Sequence, residues 1–248
     1  MNTSHPFLPD PYSLEYVTSL FDEMSATYEF VNEIASFGFT QRWRRQCIEP
    51  LCLQPEAIVY DFMTGMGESW PFLAELMGPA NQLIAIDLSP QMYRHATARL
   101  KKFSRHNIKL IQGNALCNHF AANSADCVVS LFGLKTFSVE QQALLAQEVK
   151  RILKPGGQFA FIEVSVPPNE ALRMLYMFYL KYIIPRLGQV FLGNPQNYRM
   201  LGVYTEAFDT CQTMLSFLTE AGLETQYHEY FFGCATGVSG VKPTTLLE

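Results

Sequence analysis

Between Ile58 and Glu68 the chain reads Ile-Val-Tyr-Asp-Phe-Met-Thr-Gly-Met-Gly-Glu, and this stretch limits the fold more than any other. Ile58 to Tyr60 are β-branched or aromatic, as the core of a buried strand prefers. Gly65 and Gly67 permit a tight turn and a close approach of backbone to a ligand. The apolar-rich run from Trp70 to Met77 predicts a helix. Asp87 follows at the end of a second predicted strand, Leu83-Ile84-Ala85-Ile86. Glycine turn, helix, second strand and terminal carboxylate are the parts of an adenosine-cofactor site in an open α/β sheet. The carboxylate suits a ribose diol, because it accepts a hydrogen bond from each hydroxyl.

The same residues discriminate between adenosine cofactors. A dinucleotide fingerprint has a third glycine three residues after the second, where helix and strand pack closely. Here that position is Trp70. Glu68 opens the helix and would repel a pyrophosphate drawn to the positive helix end. Both features disfavour NAD and FAD and suit S-adenosylmethionine, which carries no phosphate.

The remaining composition sets bounds. The chain has 248 residues, enough for a sizeable core. Its net charge is −5 and no basic block interrupts it, so nucleic acid is not an expected partner. Arg42, Arg44 and Arg45 flank Trp43, and are read as a solvated helix face. The six cysteines show neither a C-x-x-C pair nor zinc spacing, so no metal centre is expected. They read as buried thiols of a cytoplasmic protein. The first ten residues lack a secretory pattern and no apolar run reaches membrane-spanning length.

In order, residues 1–12 read as a loose tail or strap. Residues 13–43 are helical and aromatic, a lid over a pocket or a plain cap on the sheet edge; the lid region is drawn as 1–50 and the core as 51–248. Ser89-Pro90 starts a helix reaching about Phe103. Strands follow at Ile108–Ile111, Asp126–Ser130 and Gln158–Val164, the last after a sharp Pro155-Gly156-Gly157 turn. Ser138-x-x-Gln141 is a capping box. A broad apolar stripe within 171–201 (Leu172, Leu175, Tyr176, Tyr179, Leu180, Ile183) marks an inserted helical element. A helix at Met214–Ala221 and a strand pair joined near Gly233 close the chain.

Four motifs occur in order: Asp61-x-x-x-Gly65-x-Gly67, Asp87-Leu88-Ser89-x-x-Met92, Gly113-Asn114-Ala115 and Leu153-Lys154-Pro155-Gly156-Gly157. The series resembles the class I S-adenosylmethionine-dependent methyltransferases. More narrowly the chain resembles the ubiquinone/menaquinone biosynthesis C-methyltransferases, over roughly residues 20 to 242. Phe21-Asp22, Tyr28, Asn32, Ser36-x-Gly38 and Trp43-Arg44 carry this, with Pro185-Arg186-Leu187-Gly188 and Tyr198-Arg199-x-Leu201. The resemblance implies a Rossmann-like α/β fold, a seven-stranded, mostly parallel sheet with one antiparallel strand. It implies S-adenosylmethionine as cofactor and a lipophilic aromatic acceptor. Gly65 and Gly67 would face the methionine end and Asp87 the ribose, with Leu88 and Met92 beside it. Asn114 and Ala115 would lie at the adenine, and Ser130 would close the pocket. Tyr28 and Asn32 would come from the lid.

The departures fall on the acceptor side of the family pattern. The family's Gly-Leu-Arg-Asn is Gly133-Leu134-Lys135-Thr136 here, and its Pro-Glu-Ser is Gly202-Val203-Tyr204. A histidine of the family falls at Val238. Lysine for arginine loses a planar donor fork. An acceptor other than the usual demethyl-quinols follows. Two candidates present themselves for the chemistry. Lys135 would stabilise a developing oxyanion, against the bland reading of a surface loop lysine. Tyr28 would orient the acceptor, against simple lid packing. His119 reads as a solvated loop residue. The expected activity is methyl transfer to carbon or oxygen of a lipophilic, aromatic, quinone- or polyketide-like molecule, with at most peripheral membrane contact and homodimerisation left open. The alternative is a methyltransferase fold that binds the cofactor and catalyses a cyclisation or rearrangement.

Overall fold

The computed structural model describes residues 10–190 and 194–244. Its centre is a seven-stranded sheet: β1 (Ile58–Phe62), β2 (Gln82–Asp87), β3 (Asn107–Gln112), β4 (Ala125–Leu131), β5 (Leu153–Val164), β6 (Glu224–Tyr230) and β7 (Ala235–Val241). The spatial order is β3-β2-β1-β4-β5-β7-β6. β1 to β5 pair in parallel, and β7 lies antiparallel between β5 and β6. The expected single antiparallel strand is therefore β7. Central strands carry apolar residues on both faces because helices cover both; Val59, Phe62, Val128, Val129, Phe159 and Ile162 are fully buried.

Strand order reverses between β1 and β4, and a crevice opens at such a switch point, beyond the carboxyl ends of the strands. Three helices precede the sheet: α1 (Leu14–Met24), α2 (Tyr28–Ala35) and α3 (Phe39–Ile48). α4 (Trp70–Leu76) follows β1, α5 (Pro90–Leu100) follows β2 and α6 (Val139–Ile152) follows β4. Ser89 caps α5 and the Ser138–Gln141 capping box starts α6, both as the sequence indicates.

Two sequence boundaries move. The Pro155-Gly156-Gly157 turn lies inside β5, which begins at Leu153 with an irregular register against β4. Gly156 and Gly157 pair with Lys242 across the turn, which extends the ladder backwards. The inserted helical element also runs past residue 201. It comprises α7 (Glu170–Phe178), a π-helical turn at Tyr179–Ile183, α8 (Ile184–Val190) and α9 (Pro195–Phe208), followed by α10 (Gln212–Glu220). Nothing breaks α9 at residue 201, because Tyr204 and Phe208 continue its buried face.

The insert meets the N-terminal helices. Tyr179 Oη donates to the carbonyl of Ala35 at 2.6 Å, and Thr27 and Tyr198 share a hydroxyl hydrogen bond at 2.7 Å. Leu20, Met24, Tyr28 and Val31 form one buried cluster with Tyr198 and Tyr204. The expected strap falls mostly on residues 1–9, outside the described residues. Its described end is tied down: Tyr204 Oη donates to the Pro11 carbonyl and Gln141 Nε2 to that of Tyr12.

Candidate active site

The crevice is built first by the glycine turn. Gly65 and Gly67 adopt φ of +61° and +81°. A Cβ on Gly67 would stand 2.6 Å from the Trp70 ring. Trp70 is fully buried beneath the turn, and its Nε1 donates to Thr64 Oγ1 at 2.9 Å. The tryptophan in place of a third glycine thus holds the turn from below. Gly67 serves this packing and does not line the crevice, whereas Gly65 does.

Three carboxylates face the crevice: Asp61, Glu68 and Asp87. Asp87 accepts from the amides of Gly65 at 2.7 Å and Ser89 at 2.9 Å, which aims its two oxygens. Burial pushes its pKa up to about 6, against those hydrogen bonds. Asp61 Oδ2 accepts from the hydroxyls of Thr64 and Ser69, both at 2.5 Å. Burial lifts Asp61 to about 6 as well. Glu68 accepts from the Met66 amide at 2.9 Å. Asp61 Oδ2 has both lone pairs occupied, whereas Asp61 Oδ1 and the singly used oxygens of Asp87 and Glu68 keep acceptor capacity for a ligand. Leu88, Met92, Asn114 and Ala115 wall the side towards β3, with Gly113. This donor set fits a diol and a cationic ligand and opposes a pyrophosphate.

Ser130 does not reach the crevice. It shares the face of β4 with Val128, is fully buried, and leaves its Oγ without a partner. Side chains alternate along a strand, so Leu131 faces the crevice instead, joined by Phe132 and Gly133 just beyond the end of β4. Phe132 holds φ +77°, unusual for an aromatic. Gly133 makes room for Met63, whose Cβ would lie 2.5 Å from an added Cβ.

A second cavity, of about 340 Å³, lies beyond Phe132. Its walls come from α2–α3 and the insert: Phe39, Trp43, Leu172, Tyr176, Leu180 and Leu201 among others. Tyr28, Arg44 and Phe132 line both spaces. Tyr28 is buried and packs edge-on against Phe21, with ring centroids 5.8 Å apart. The side chain of Asn32 lies outside the described residues. Gly202 lines the cavity, and Val203 points out. Val238 lies in the sheet core opposite Phe161, so the expectation that it belongs to the acceptor side is corrected.

The Lys135-Thr136 pair splits. Thr136 donates to the Gly133 carbonyl at 2.8 Å and faces the crevice. Lys135 lines the cavity, but its Nζ sits 2.6 Å from Glu163 Oε1, and Glu163 also accepts the Lys135 amide at 3.1 Å. Both side chains are buried. The loop lysine is neither on the surface nor an unpaired cation. Sequence reasoning passed over Glu163, although a lone acid in an apolar strand signals a partner, because buried charges are paired. His119 is exposed and lines neither space.

The arginines of α3 separate too. Arg42 and Arg45 are exposed, and Arg45 pairs with Glu75. Arg44 is buried, its guanidinium 5.0 Å over the Phe132 ring and its Nε without a hydrogen-bond partner. The solvated-face reading fails for it. Trp43, Arg44, Cys47 and Ile48 are the buried residues of α3, and their spacing of four could have revealed this.

Comparison with known proteins identifies the family. A demethylmenaquinone methyltransferase of Thermus thermophilus is 30% identical over 225 residues, 90% of this chain and 100% of that one. One from Listeria monocytogenes is 30% identical over 84% of this chain and 87% of its own length. The ubiquinone/menaquinone biosynthesis C-methyltransferase UbiE of Pseudomonas fluorescens is 28% identical over 95% and 92%. A crystal structure of an S-adenosylmethionine-dependent methyltransferase from Aquifex aeolicus shares the fold, with TM-score 0.56 and 18% identity over 94% of this chain and 98% of that one. A Haemonchus contortus phosphoethanolamine N-methyltransferase in complex with S-adenosyl-L-methionine gives TM-score 0.63 and 15% identity over 93% and 60%. The model of the ubiE/COQ5 methyltransferase family matches residues 12–242. The chain belongs to that family, and it is an S-adenosylmethionine-dependent methyltransferase.

Proposed function

We propose that the enzyme transfers a methyl group to a lipophilic aromatic acceptor of the phenol or quinol type, one other than the demethyl-quinols named for its relatives. The observation that carries this reading is the shared wall: an apolar cavity meets the cofactor crevice at Tyr28, Arg44 and Phe132. Apolar pockets with a few placed polar groups are the usual small-molecule sites. The bound cofactor supplies an electrophilic methyl group on a sulfonium. The carboxylates of Asp61, Glu68 and Asp87 complement a cationic donor, with Asp87 set to accept from the ribose hydroxyls. Tyr28 and Phe132 shape the passage and orient the acceptor ring. Positioning of this kind contributes on the order of 7–11 kcal/mol. Lys135, neutralised by Glu163, fixes the 131–137 loop rather than meeting an oxyanion.

The acceptor reaches the cavity from a lipid surface in this reading. Phe37, Met174, Leu175 and Phe178, on the α2–α3 turn and α7, are each more than half exposed. No helix among the described residues is long and apolar enough to cross a membrane, so contact would be peripheral. Nothing observed favours the cyclisation alternative.

The quinol limb of the proposal rests on the weakened donor pair, since Thr136 spends its hydroxyl hydrogen on the Gly133 carbonyl and Glu163 neutralises and holds Lys135. Labelled methyl transfer to a panel of phenols and quinols, with mass spectrometry of products, tests it. Turnover of alkylated phenols with little transfer to demethylmenaquinol is expected. Robust turnover of demethylmenaquinol or the ubiquinol precursor would assign the relatives' activity instead.

A further inference from the structure

We propose that Arg44 clamps the carboxylate of the methyl donor. The inference rests on the S-adenosylmethionine assignment and gives a role to a residue that the Trp43-Arg44 match includes without assigning one. Among the described residues lining the crevice, Arg44 is the one cation. Among the described residues it has no ion-pair partner, and its buried Nε has no hydrogen-bond partner. Its guanidinium packs on the face of the Phe132 ring, 5.0 Å away. A buried charge left in that state is costly, and a ligand anion would relieve the cost.

Strand order gives the direction. Asp87 ends β2 and Asn114 follows β3, on one side of β1. Phe132 follows β4, on the other side. With the ribose on Asp87 and the adenine near Asn114, the amino-acid end of the donor crosses the Gly65 turn towards β4. Its ammonium group then meets the carboxylates of Asp61 and Glu68. Its carboxylate, the donor's one anionic group, meets Arg44. A planar guanidinium matches a carboxylate with two parallel hydrogen bonds. Lys135 cannot serve in its place, because Glu163 holds it on the cavity side.

Arg44 also borders the acceptor cavity, so the rival role is recognition of an ionised acceptor oxygen. Calorimetry separates the two with S-adenosylhomocysteine and with decarboxylated S-adenosylmethionine, which keeps the ammonium and lacks the carboxylate. Arg44→Met should weaken S-adenosylhomocysteine about 10- to 100-fold. The same variant should leave the decarboxylated ligand within about twofold of wild type, which also reports that the crevice is folded. Arg44→Lys should recover part of the loss. Equal weakening of both ligands, or unchanged affinity for S-adenosylhomocysteine with a raised acceptor KM, would overturn the proposal. Failure of the wild type to bind either ligand would instead overturn the cofactor assignment beneath it, and the clamp with it.

Discussion

The cofactor crevice and the acceptor cavity share three side chains, yet they are built in different ways. The crevice is closed on one side by α1 to α3, but most of its polar groups come from turns at the carboxyl ends of β1 to β4, stabilised by contacts within a few residues or between adjacent strands. Thr64, Ser69 and Trp70 fix the first turn around Asp61, and Ser89 and Gly65 aim Asp87. The cavity is assembled from α2–α3 and α7–α9, more than a hundred residues apart, and meets the sheet through loops. The crevice carries three carboxylates; the cavity is apolar apart from Lys135, which Glu163 neutralises, and Arg44, which both spaces share. One follows from local chemistry and the other from how distant helices happen to pack.

Changes aimed at each region should separate them. The largest effect is expected on the cavity side. Glu163→Ala leaves Lys135 buried and unpaired, and should cost about 3–5 kcal/mol of stability in denaturant unfolding. Lys135→Met combined with Glu163→Leu should recover most of that loss, because no charge is then stranded. If Glu163→Ala unfolds like wild type, the pair does not hold the loop.

On the crevice side, Asp87→Ala should weaken S-adenosylmethionine by roughly 1.5–3 kcal/mol, with stability nearly unchanged. Calorimetry showing wild-type affinity would remove Asp87 from the ribose site, and tight NADH binding would contradict the assignment altogether.

A smaller effect distinguishes the regions by pH. Asp61 and Asp87 titrate at about 6 in the folded chain, raised from 3.8. The folded state therefore holds these protons more tightly than the unfolded state. Their contribution to stability rises as pH falls from above 6 towards 4, since slope follows the difference in bound protons. Affinity for the cationic donor moves the opposite way, falling by up to about tenfold per pH unit per group below 6. Opposite trends in unfolding and calorimetric titrations are the expected signature, and Asp87→Asn should flatten the affinity profile. Parallel trends would mean that other groups dominate.

The difference in construction explains what could be read from the chain. The spacing of Gly65, Gly67, Trp70 and Asp87 announces the crevice, because turn chemistry is local. Asn114, Ala115, Leu88 and Met92 line the same crevice as Gly65 and Asp87, and their contact with the cofactor is part of the proposal. Ser130 misled because one step along a strand reverses a side chain, and Val128 sets its face. Arg44 was hidden by its charge, which outweighed its place on the buried stripe of α3. Lys135 and Glu163 meet only because β4 and β5 are neighbours, with Leu131 opposite Ile162. That pairing follows from sheet order rather than from any short motif. The oily composition marks α2 and the insert as segments that must bury a face, whereas their meeting and the depth of the cavity depend on packing that composition does not specify.

The most direct test of the shared wall is a crystal structure with S-adenosylhomocysteine and an alkylated phenol bound together. The account predicts the phenol ring between Tyr28 and Phe132, facing the sulfur of the cofactor product, and the alkyl tail running along Leu172, Tyr176 and Leu201. A phenol seated outside that cavity, or a tail leaving through the crevice past Tyr12, would contradict it.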